Sequence, residues 1–137
     1  MEQFKIQNLN VRVSTDFNYV WVLLEEQVRS EQFAASLGDA EFHSLLQRYH
    51  VRNILLDCSK MWVFSIPEMS AYLDTQFTNL MVGIGVEKIS VIVNEEVFRM
   101  LSGIFQGIEF NHLQNLPQIR FFGTASFYES FESVAWF

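Results

Sequence analysis

Three short segments set the limits on what this chain can become. Tyr19-Val20-Trp21-Val22-Leu23-Leu24, the stretch from Val51 to Cys58 built around Ile54-Leu55-Leu56, and Lys88 to Val93 are rich in aliphatic, β-branched and aromatic residues. Apolar runs this short, bounded by polar residues, read as buried strands. Between them the periodicity changes. Phe42, Leu45, Leu46 and Tyr49 fall at i, i+3, i+4 and i+7, which predicts a helix over 31–49 with Phe33 and Leu37 extending its stripe. Gly38-Asp39 can divide that helix, because Asp39 can cap a new amino terminus. Met69, Tyr72, Leu73, Phe77, Leu80 and Met81 give a second helical stripe over 66–81, which Gly83 and Gly85 are expected to end. After the run ending at Val93, Asn94 suits an N-cap, and Glu95 and Glu96 suit the positive end of a helix. Val97, Phe98, Leu101, Ile104 and Phe105 form the apolar face of that helix.

The two ends complete the pattern. Leu9, Val11 and Val13 alternate with polar residues, as in a half-exposed strand, and Asp16-Phe17-Asn18 can turn the chain into Tyr19. Gln118 to Phe122 reads as a last strand, and Ser126 to Phe137 as a short final helix with Phe127, Phe131 and Val134 inward. The expected order is β-β-α-β-α-β-α-β-α. Strands alternating with helices imply parallel pairs joined by right-handed crossovers. The predicted fold is therefore α/β: a mixed sheet of about five strands, antiparallel at its N-terminal edge, with helices packed on it. No linker or repeat divides residues 1–137, which read as one domain.

Composition narrows the partners. With 137 residues and 14 Phe, the chain has ample core material. The net charge is −7, and the nine basic residues are scattered, so nucleic acid and anionic membrane are not the expected partners. One cysteine, Cys58, excludes an intrachain disulfide. The residues Met1 to Lys5 do not read as a signal peptide, and no apolar run reaches membrane-spanning length. A cytoplasmic location is the expectation.

The candidate for chemistry is the segment after the third predicted strand, Asp57-Cys58-Ser59-Lys60-Met61-Trp62-Val63-Phe64-Ser65-Ile66-Pro67-Glu68. In open α/β sheets, ligands bind beyond the carboxyl ends of the strands. Three pairs of readings compete there. Cys58 or Ser59 is a nucleophile, or Cys58 is an inert strand-end residue. His50, the nearest histidine in sequence, precedes the strand and belongs at its other end. Ser65 and Glu68 form a helix capping box with Pro67 in the first turn, or Ser65 accepts a phosphate at a helix amino terminus. Met61, Trp62, Val63 and Phe64 cover the core, or they form an exposed apolar patch for a partner. Elsewhere the signals are weak. His43, His50 and His112 lack metal-ligand spacing, and Gly83-Ile84-Gly85 follows a helix rather than a strand.

The element order, together with Asn53-Ile54-Leu55-Leu56-Asp57-Cys58-Ser59 and the stretch on to Ser65, resembles a STAS-like domain, the fold of the anti-sigma-factor antagonists. In that family a strand ending in a Leu-Asp-x-Ser pattern leads into a loop, and a phosphorylatable serine opens the next helix. The family's loop ends in Asp-Ser-Ser-Gly; the corresponding residues here are Ser65-Ile66-Pro67-Glu68, which places Ser65 on the aspartate and Ile66 on the serine. The resemblance implies a divergent member, similar also to lipid-binding domains of a related fold.

These readings lead to a non-enzymatic regulatory or protein-interaction domain without a cofactor. Its binding or regulatory residues would be Asp57, Ser59, Met61, Trp62, Phe64 and Ser65. The alternative is a small carrier of apolar ligands or lipids, with the Phe and Met side chains lining a pocket. The protein partner is unnamed by the sequence. Trp136 and Phe137 offer contacts for a homodimer.

Overall fold

The computed structural model describes residues 2–14, 19–24, 30–60, 76–99 and 118–124. They form an α/β fold around a mixed six-stranded sheet. The strands are β1 (Glu2–Ile6), β2 (Leu9–Ser14), β3 (Tyr19–Leu24), β4 (Asn53–Asp57), β5 (Lys88–Val93) and β6 (Gln118–Gly123). The helices are α1 (Ser30–Leu37), α2 (Ala40–Arg48), α3 (Thr78–Ile84) and a helical segment over 95–99. The strands lie in the order β1-β2-β3-β4-β5-β6. β1, β2 and β3 are antiparallel neighbours, whereas β3 to β6 are parallel.

The N-terminal edge differs from the expectation in one respect. The outermost strand is Glu2–Ile6, and the segment from Leu9 pairs on both sides. A two-residue turn, Gln7-Asn8, joins β1 to β2, with Ile6 opposite Leu9. Gln7 adopts a φ of 51°, a left-handed conformation in which a side chain is uncommon. The turn is tied down from outside. Gln7 Nε2 donates to Asp39, and Asn8 Nδ2 donates to Ser36 Oγ at 3.4 Å.

The break predicted at Gly38-Asp39 is present. Asp39 Oδ1 accepts from the Glu41 N–H at 2.8 Å and caps α2. The Asp39 carboxyl is held below its usual range, first by the hydrogen bond from Gln7 and then by the backbone N–H of Glu41. Phe42, Leu45 and Leu46 are buried as their spacing requires. The 66–81 helix needs correction where it is described. α3 continues to Ile84, so Gly83 lies inside it and Gly85 alone ends it. Its buried arc is Phe77, Thr78 and Met81, which turns Leu80 outward to 42% exposure. The segments 66–75, 100–117 and 125–137, and the turn at Asp16-Phe17-Asn18, lie outside the described residues.

Consecutive strand order decides where the helices go. Right-handed crossovers that always advance to the next strand deposit their helices on one face. Phe33, Leu37, Phe42, Leu45, Leu46, Phe77, Met81 and Val97 accordingly share one core with Val11, Val20, Val22, Ile54, Leu56, Val91 and Val93. Tyr19, Leu55 and Ile92 alternate to the other face, where Trp21 packs with them. β4 is buried along its whole length. Each buried Leu or Ile there contributes on the order of 1.5–3 kcal/mol through removal from water.

Candidate functional site at the carboxyl end of the sheet

β4 leads directly into the candidate segment. The Cys58 N–H donates to the Ile92 carbonyl at 2.8 Å, which carries the parallel ladder one residue past the strand. The chain then turns. Asp57 Oδ1 accepts from both the Ser59 N–H, at 3.1 Å, and the Ser59 hydroxyl, at 2.6 Å. One carboxylate oxygen thus holds both the backbone N–H and the hydroxyl of Ser59, a local turn that Asp is suited to form. Asp57 is buried, Ser59 half-buried and Lys60 exposed.

Cys58 between them faces the core and is 2% exposed. Burial pushes its thiol far above the ordinary range, and the charge of Asp57 adds to the effect. A thiol buried in this way lacks the exposure and thiolate character of an activated nucleophile. The Ser59 hydroxyl is directed to Asp57. His43 is engaged elsewhere, with Nε2 2.7 Å from the Leu37 carbonyl, the geometry of a ring N–H closing the end of α1. His50 precedes β4, at the amino end of the strand, with a φ of 51°.

The neighbouring strands end just as tightly. Asn94 Oδ1 accepts from the Val97 N–H at 2.9 Å, and the Asn94 carbonyl accepts from the Phe98 N–H at 2.9 Å, so Asn94 alone separates the end of β5 from the helical segment. At the end of β6, a Cβ on Gly123 would lie 2.3 Å from Glu95 Oε1. The Glu95 carboxylate therefore lies across the space beside Gly123, and a side chain there would require it to move. Of the candidate binding residues, Asp57 and Ser59 are brought together in this turn. Met61, Trp62, Phe64 and Ser65 lie outside the described residues. The Glu95–Gly123 contact was missed in the sequence; its one signal was a glycine closing an aromatic strand.

Among the described residues no group of three or more His, Cys, Asp or Glu side chains is placed to hold a metal ion. No described helix is long and apolar enough to cross a membrane. Comparison with family models, curated proteins and solved structures gave no match.

Proposed function

We propose that the chain is a divergent STAS-like domain that acts by protein interaction, with its partner surface at the carboxyl end of β4. Ligand crevices in open α/β sheets form where the strand order reverses and neighbouring crossovers go to opposite faces. The described order β1 to β6 never reverses. This observation carries the proposal, because it favours a contact surface at this end over a cleft. The local chemistry supports the same reading. Asp57 is spent on holding Ser59, Asn94 on capping a helix, and Cys58 is buried in the core. The fixed turn exposes Lys60, and the apolar residues Met61, Trp62 and Phe64 follow it in sequence. Ser65 would then lie within a partner's footprint, as a cap or as a regulatory position.

A photo-crosslinking residue in place of Lys60 tests this, with the same residue in place of exposed Glu87, before β5, as the control for the opposite end. Covalent protein adducts from position 60 and none from position 87 are expected after irradiation in a cell extract. Equal labelling at both positions would refute the assignment. An adduct at position 60 with small apolar molecules alone would replace it with the carrier function.

A further inference from the structure

The face opposite the helices carries a feature that the carboxyl-end surface does not use. Register sets Gln3, Arg12 and Trp21 side by side across β1, β2 and β3, and Lys5, Asn10 and Leu23 side by side one pleat away. Residues two apart on a strand point the same way, so these six share one face. A hollow of about 360 Å³ lies over five of them, with Gln3, Lys5, Asn10, Arg12 and Leu23 in its wall. That volume falls within the range of small-molecule sites. The Arg12 guanidinium lies over the Trp21 ring, 5.4 Å from its centroid. That cation–π contact anchors the guanidinium, whose N–H edge can bind a planar anion through two parallel hydrogen bonds. In a chain of net charge −7, this wall holds two cations and two amides and, among the described residues, no carboxylate.

We propose that this hollow binds a small organic carboxylate. Its carboxylate group sits on the edge of Arg12, beside the Gln3 and Asn10 amides, and its apolar body lies against Leu23. Phosphate sites gather unpaired backbone N–H groups at helix ends and nests. β2 lies between two paired strands, so its backbone donors belong to the ladders and the donors on offer are side chains. A flat anion with an apolar body fits that set better than a phosphate.

Titration of the whole protein, followed by amide chemical shifts or calorimetry, tests the assignment with benzoate, hexanoate, benzamide and inorganic phosphate. Benzoate and hexanoate should bind saturably, and the other two at least about tenfold more weakly, the difference that a charged hydrogen-bond pair makes. Arg12→Gln should weaken benzoate binding about tenfold or more. Arg12→Lys, which keeps the charge and the stem but loses the planar fork, should weaken it too, and it remains informative should Arg12→Gln fail to fold. Circular dichroism confirms that the variants are native. Benzamide or phosphate binding as tightly as benzoate would overturn the proposal. So would unchanged benzoate affinity in folded variants, or no saturable carboxylate binding at millimolar concentration.

Discussion

Cys58 sits one residue past β4 with its side chain in the helix-side core, and that position ties its proton to the fold. Burial is the first cause of its raised pKa and Asp57 the second. In the unfolded chain the thiol ionises near its ordinary value of about 8.5. The folded protein holds the proton to higher pH, so the stabilising contribution is complete below the ordinary value and is lost as pH rises beyond it. Unfolding free energy should therefore fall between about pH 8.5 and 10, by up to about 1.4 kcal/mol per pH unit. Cys58→Ala should flatten that slope, whatever its effect at neutral pH. Denaturant titrations across this range measure it. Tyr19, also raised by burial, titrates in the same direction at still higher pH. The same thiol should resist Ellman's reagent in the native protein and react fully in guanidinium. Fast native labelling would contradict the buried placement. Position along the chain made the buried cysteine legible in the sequence. It did not reveal that Asp57 Oδ1 would take both hydrogen bonds from Ser59, because that depends on where the strand stops.

At the scale of elements, α3 sets two glycines in opposite roles two residues apart. Gly85 has a φ of 95°, and its N–H donates to the Val82 carbonyl at 3.3 Å and to the Met81 carbonyl at 3.0 Å, while the Val86 N–H also donates to the Met81 carbonyl at 3.1 Å. This is the paired closure of a Schellman end, with Val86 and Met81 buried together. Gly83 is exposed in the last turn, and a Cβ there meets nothing within 4 Å. Gly85→Ala should cost about 1–2 kcal/mol, the penalty of a left-handed side-chain-bearing residue. Gly83→Ala should stabilise by about 0.5–1 kcal/mol. Equal effects in thermal melts would show that the helix end is misplaced. The sequence reading gave both glycines one role because each is a helix-ending signal by type; only φ separates them. β1 escaped that reading for a related reason. Phe4 and Ile6 do alternate with Gln3 and Lys5, but the turn after them is Gln7-Asn8, without the glycine that marks a two-residue hairpin. Contacts from Asp39 and Ser36, some thirty residues on, support that turn, and no local pattern announces them.

For the whole molecule, burial rises from one sheet edge to the centre. β1 is mostly exposed, whereas β4 is buried throughout and β5 nearly so. Backbone hydrogen exchange should follow that gradient, fastest in β1 and slowest in β4 and β5. Mass spectrometry of deuterium uptake that finds β1 and β4 equally protected would contradict it. The α/β class and the parallel run were legible because the central strands are short apolar runs and the helices keep their spacing. The Arg12–Trp21 contact was not, because it appears only once Ser14 is set opposite Tyr19 and the hairpin register is counted back. The same strand order has a consequence for assembly during synthesis. Each strand pairs with the one made immediately before it. The growing sheet always offers its newest edge to the next strand, and no gap has to be held open for a later arrival. A ribosome delivering this chain from its amino terminus would deliver it in the order in which its hydrogen-bond ladders close.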